Sequence, residues 1–266
     1  MTLHQIVERA LEEDIGSGDV TTNLCVAEDR KAIGRFLVRE PIVVAGTELL
    51  TILYDEVELR APSGSCLEAG KEIASVRGPA RKLLTRERVA LNFLQHLSGI
   101  ATQARKYVDA VVGTGCRILD TRKTTPGLRE LEKMAVRASG ATNHRMGLFD
   151  AVLIKNNHIT AACGVRAALE ATRNANVPVQ IEVRTRAELE EALQFGAKKL
   201  LLDNLGPAQA KDWINSIAGR ATVELSGGIT LDTVRAYAET GADFISVGAI
   251  THSARAVDIH FQLELA

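Results

Sequence analysis

The second half of the chain is built from short apolar runs, each of which delivers polar residues or glycine at its C-terminal end. Ile118-Leu119 leads into Asp120-Thr121-Arg122-Lys123, Ala151 to Ile154 ends in Lys155, Val179 to Ile181 in Glu182, and Leu200 to Leu202 in Asp203. Val223 to Leu225 is followed by Ser226-Gly227-Gly228, and Phe244 to Val247 by Gly248. Runs this short and apolar read as buried strands, and helical patterns such as Arg186 to Leu193 separate most of them. Strand, polar tip and helix in repetition is the layout of a β/α barrel, whose reactive groups collect at the mouth formed by the strands' C-terminal ends.

The first half follows another rule. Residues 2–13 space Leu3, Ile6, Val7, Ala10 and Leu11 on one helical face. From Lys31 to Ala80, short β segments (32–39, 42–45, 56–60, 72–77) are broken by Pro41, Gly46, Pro62, Gly64, Gly70 and Gly78-Pro79. Such closely spaced strands do not match barrel units, so a separate sheet domain is expected. A helical stretch from about Lys82 to Val112, interrupted near Ser98-Gly99, links the two halves. The span from Pro126 to Phe149 is expected to hold a helix (128–139) and one more short strand. The last run, Val257 to Leu265, alternates like a half-buried strand returning to the N-terminal sheet. The division expected is therefore residues 1–107, joined by 254–266, and a barrel over 108–253.

Composition excludes several classes. With 266 residues and a net charge of −1, no global field draws the chain to nucleic acid or an acidic membrane, so anion binding must come from clustered cations. Cys25, Cys66, Cys116 and Cys163 lie far apart, as free, buried thiols in a reducing compartment would. The acidic N-terminal stretch lacks a signal-peptide core, and no run approaches the ~20 apolar residues that span a bilayer. A cytoplasmic protein is expected.

Arg122, Lys123, His144, Arg145 and Lys155 are expected at one barrel end. Exposed ion pairs contribute only ~0–1 kcal/mol, so stability gives little reason to gather them, whereas a multiply anionic ligand does. Glu182 and Asp203, at neighbouring strand ends, can hold hydrated Mg²⁺, bind ribose hydroxyls or stabilise a sugar cation. Ser226, Gly227 and Gly228, with Thr230 as a helix cap and Gly248 on the next strand, suit a phosphate. His158, just past Lys155, orients that lysine or binds ligand.

Asp120-Thr-Arg-Lys-Thr-Thr-Pro-Gly-Leu-Arg129, Lys133, Ala135-Val-Arg137, Asn143-His-Arg145 and Leu153-Ile-Lys-Asn-Asn-His158 together resemble the quinolinate phosphoribosyltransferase family. Further blocks at 13–22, 87–88, 92, 96–102, 202–204, 226–229 and 248–253 extend the resemblance over nearly the whole chain. It implies an α/β sandwich domain followed by an incomplete barrel, in a homodimer whose active site lies at the subunit interface. It also implies transfer of phosphoribosyl from phosphoribosyl pyrophosphate to quinolinate with decarboxylation, using Mg²⁺. Carried over by resemblance, Arg122, Lys123, His144, Arg145 and Lys155 line the anion pocket, with Arg88 from the other subunit. Lys123, Lys155, Glu182 and Asp203 serve catalysis, Glu182 and Asp203 facing ribose and Mg²⁺. Ser226, Gly227, Gly228, Gly248 and His252 hold phosphate. Met134, Ser139, Ala141, Asn156 and Arg184 depart from the family pattern without removing any of these groups. The rivals are a related transferase acting on nicotinate or another nitrogen heterocycle, including the paralogue found with molybdenum transport genes, and a non-catalytic phosphosugar-binding regulator.

Overall fold

The computed structural model describes residues 2–266. In chain order the first strands are β1 (Lys31–Val38), β2 (Ile42–Val43), β3 (Glu56–Leu59), β4 (Cys66–Leu67) and β5 (Glu72–Pro79). They are followed by β6 (Arg117–Leu119), β7 (Val152–Ile154), β8 (Val179–Val183), β9 (Lys199–Asp203), β10 (Thr222–Ser226), β11 (Phe244–Ser246) and β12 (Ile259–Leu265). Two compact units result. One comprises Met1–Arg105, Thr124–Gly140 and Ile250–Ala266, the other Lys106–Lys123 and Ala141–Ala249.

The first unit holds a four-stranded sheet in the order β12-β1-β5-β3. β12 runs antiparallel to β1, from Ala32 opposite Leu265 to Val38 opposite Ile259. Burial alternates along β1, as expected of a strand with one packed face. Gly34 makes room for a ring: a Cβ there would come within 2.0 Å of Phe261, which packs against Phe36 at 4.9 Å between centroids. The helix Ala80–Ala110 is continuous through Ser98-Gly99, where the sequence suggested a break. Both residues answer to packing. The Ser98 hydroxyl accepts from the Ala45 amide at 3.0 Å, and a Cβ on Gly99 would come within 2.1 Å of the Arg255 carbonyl.

The helix Arg129–Ala138 also falls in the first unit, although the sequence assigned it to residues 108–253. Its Glu132 is fully buried and lies 3.0 Å from His96 Nε2, which ties it to the long helix.

The second unit is a six-stranded parallel sheet in the order β6-β11-β10-β9-β8-β7. A parallel bridge from Leu119 to Thr142 supplies the extra short strand expected between β6 and β7. The central strands are almost wholly buried, with helices Arg186–Gln194 and Pro207–Ile217 connecting β8 to β9 and β9 to β10. Each helix reads plainly in the sequence: Thr185 caps the first through the Glu188 amide at 3.1 Å, and Pro207 opens the second. No helix of the described residues is long and apolar enough to cross a membrane.

Among the cysteines only Cys116 is buried, and burial pushes its thiol up to about 12. Cys25, Cys66 and Cys163 are exposed, which corrects the expectation of buried thiols, since each lies in a loop, edge strand or helix end rather than in the core.

Candidate active site

In a parallel sheet every strand delivers its last side chains at the same edge, so the second unit gathers its polar strand ends without further machinery. Arg122 and Lys123 follow β6, Lys155 follows β7, and Glu182 is the penultimate residue of β8. Asp203 ends β9, Ser226 ends β10 directly beside Asp203, and Gly248 lies just past β11. Lys155 is exposed and opens the helix Asn156–Ala161, where its backbone amide donates to His158 Nδ1 at 2.9 Å. His158 thus orients the lysine backbone.

Glu182 is buried. Burial raises its carboxyl above the ordinary carboxylate range and the Asp203 charge adds to the rise, while Lys155 and Arg184 pull it back. These groups therefore lie close enough to sense one another, two carboxylates facing a lysine.

Arg145 shows the converse. Burial lowers its guanidinium from the ordinary arginine value and the nearby charge of Arg122 lowers it further, with Asp150 opposing. Two guanidiniums held near each other in a partly desolvated place repel unless an anion joins them. Arg145 Nη1 donates to the Ala151 carbonyl at 2.9 Å, and the Asp150 carboxylate accepts from the Met146 and Gly147 amides at 2.7 and 2.9 Å. That turn holds Arg145 in place.

His144 points elsewhere. It lies 3.4 Å from Glu224, a buried carboxylate in mid-β10, and lines with Arg145 a cavity of about 330 Å³. The cavity walls include Val152, Lys199, Thr222 and Phe244, the first residues of β7, β9, β10 and β11. His144 thus belongs to the strand interior and not simply to the row of strand ends.

The glycines divide. Gly227 has φ +103°, and a Cβ there would come within 2.2 Å of Asn204 Oδ1, so packing alone requires glycine. Gly228, at φ +61°, faces open space, as a backbone that admits a ligand must. Thr230 is not a helix cap. The helix spans Val234–Ala238, too late and too short to aim its N-terminus at the glycines, because Thr230 and Thr233 close a turn of their own at 3.0 Å.

Arg88 and His252 belong to the first unit. Arg88 is exposed on the helix Ala80–Ala110, and exposed His252 bonds through Nδ1 to the Ser253 hydroxyl at 2.6 Å. Asp120, Gln180 and Glu224 escaped the reading of individual residues. Asp120 is fully buried and accepts from the His144 amide at 2.7 Å and from Asn143 Nδ2 at 2.6 Å. For Gln180 and Glu224 the available signal was an amide or charged residue set inside an otherwise apolar strand, and Asp120 directly follows β6.

Comparison with known proteins now decides the family. Residues 19–98 match the model of the quinolinate phosphoribosyl transferase N-terminal domain, and residues 100–262 that of its C-terminal domain. The chain belongs to the quinolinate phosphoribosyltransferase family. It is 41% identical to the nicotinate-nucleotide pyrophosphorylase [carboxylating] of Mycobacterium leprae, the alignment covering 97% of this chain and 95% of that protein. It is 38% identical to the probable nicotinate-nucleotide pyrophosphorylase [carboxylating] of Bacillus subtilis, over 100% and 95% of the two chains. The solved nicotinate-nucleotide pyrophosphorylase of Francisella tularensis superposes with a TM-score of 0.94 at 36% identity, covering 98% of this chain and 96% of that one. Membership accounts for the fold class, a small sheet domain with a parallel α/β domain.

Proposed function

We propose that the protein transfers phosphoribosyl from phosphoribosyl pyrophosphate to quinolinate with loss of carbon dioxide, giving nicotinate mononucleotide and pyrophosphate. The observation that carries this reading is the pairing of like charges in one unit. The charge of Arg122 acts on Arg145, and that of Asp203 on Glu182. The first pair suits a dicarboxylate and the second a cationic partner.

The reaction needs two repelling anions brought together. Arg122, Lys123, Arg145 and Lys155 would offset that repulsion, each charge-assisted bond contributing ~1.5–3 kcal/mol. Lys123 and Lys155 would face departing pyrophosphate. Glu182, buried beside Asp203, would stabilise the positive charge that develops on the ribose as the leaving group departs. The pyridine nitrogen attacks the anomeric carbon as pyrophosphate leaves, the pyridinium charge so formed stabilises the C2 carbanion left as carbon dioxide departs, and that carbon takes up a proton. Ser226, Gly228 and Gly248 would receive the 5′-phosphate, joined by His252.

The donor set fits Mg²⁺. Among the described residues no cluster of three or more His, Cys, Asp or Glu could hold a metal, but two adjacent carboxylates suit a hydrated cation bound chiefly by phosphate. When bound, it would neutralise pyrophosphate charge. Arg88 is read as reaching the site from a second subunit, in a cytoplasmic homodimer.

The test is purified protein with phosphoribosyl pyrophosphate, Mg²⁺ and carboxyl-labelled quinolinate, with nicotinate in parallel. Equimolar carbon dioxide and nicotinate mononucleotide from quinolinate alone is the expected result. Nucleotide made from nicotinate, or binding without product, would overturn it.

A further inference from the structure

His144 lies within the set that the family resemblance assigns to the substrate pocket, yet both of its ring nitrogens are engaged by the protein. Nδ1 accepts from the backbone amide of Arg145 at 2.7 Å, so its lone pair is in use and it carries no proton. The ring hydrogen of the neutral imidazole then sits on Nε2, which faces Glu224 Oε2 at 3.4 Å. Gln180 Nε2 donates to that same oxygen at 2.9 Å. A buried carboxylate is therefore fixed in mid-strand, held by Gln180 and facing His144.

The backbone at this point is held as firmly as the ring. Asp120 takes the His144 amide and the Asn143 side chain, one on each carboxylate oxygen. Arg145 follows directly, and Arg122 repels it. Something must keep the Arg145 amide and side chain in place against that repulsion, and the imidazole that accepts from the Arg145 amide is placed to do so.

Resting on the reading that this site takes a dicarboxylate, we propose that His144 is a positioning residue and not a substrate ligand. Its neutral ring is bracketed between the Arg145 amide and the Glu224 carboxylate, and it sets the Arg145 guanidinium for one carboxylate of the substrate. Other charged groups lining the same cavity are Asp150 and Lys199. The chain thus carries a second layer, Asp120, Gln180 and Glu224, behind the anion grip. Second-layer partners of this kind fix ring orientation and tautomer.

The test is imidazole ¹⁵N spectroscopy of the full-length protein, with the His144 signals assigned by their loss in His144→Gln. A neutral Nε2–H tautomer that is unmoved by quinolinate is expected. An imidazolium signal, or an Nε2 resonance displaced by quinolinate, overturns the proposal. In kinetics, Glu224→Leu should raise KM for quinolinate about tenfold with kcat and the KM for phosphoribosyl pyrophosphate little changed, while Glu224→Gln, which still accepts from Nε2–H, restores most of the loss. An unchanged KM in the leucine variant contradicts the proposal. If that variant does not fold, the spectroscopy and the glutamine variant still decide. Wild-type protein that leaves quinolinate unconverted would refute the functional reading alone, because the tautomer is measured without turnover.

Discussion

The two sheets treat charge in opposite ways. On the antiparallel sheet of the first unit, charged residues stand on the outer face and pair with one another: Arg35 with Glu72 at 3.0 Å and Glu264 at 3.7 Å, Arg60 with Glu58 at 2.8 Å and Glu72 at 3.8 Å. In the parallel sheet of the second unit Glu182 and Glu224 are buried. The Glu224 carboxyl is depressed, with Gln180 and His144 facing its Oε2, whereas that of Glu182 is raised by burial and by a second carboxylate. Charge on the first sheet serves solubility. In the second it is held where folding alone would not put it, as expected of groups kept for chemistry.

Substitutions can break this contrast. The largest effect is expected for Glu182→Gln, which should lower kcat by about 100-fold or more, read from steady-state product formation. Arg122→Ala should reduce kcat/KM for quinolinate about 10- to 100-fold, the range expected for losing a charge-assisted bond, and near-normal kinetics would remove Arg122 from the grip. Gly227→Ala tests packing beneath the site. The methyl group meets Asn204 at 2.2 Å with φ at +103°, so the folded state should be destabilised by ~2 kcal/mol or more, seen as a fall in Tm. Least of all, Glu72→Ala should change stability by about 1 kcal/mol or less, because solvent screens its pairs with Arg35 and Arg60.

Legibility followed the same divide. Alternation in Val257 to Leu265 announces an edge strand, and β12 pairs with β1 over residues 259–265. The apolar runs of the second half announce parallel strands because both faces are covered, and their polar tips name Arg122, Lys155, Glu182 and Asp203. Contacts made at a distance in sequence stayed hidden. Nothing near Gly99 in sequence reveals the Arg255 carbonyl that demands glycine, so the sequence alone suggests a helix break there. The pattern around Glu132 shows a helix but not the His96 that ties it to the first unit. Glu224 and Gln180 carry no motif of their own. Only the register of neighbouring strands and the return of the chain at Asn143 to Arg145 bring them to His144.

The claim that the parallel sheet holds charge against its own stability is tested most directly at Glu182, by unfolding wild type and Glu182→Gln in metal-free buffer at a series of pH values. A carboxyl raised on folding stabilises the protein at low pH, and that contribution is lost as pH rises through the raised value. Stability of the glutamine variant relative to wild type should therefore increase from the ordinary carboxylate range toward neutrality. A difference that stays constant with pH, or that favours wild type increasingly as pH rises, would contradict the account.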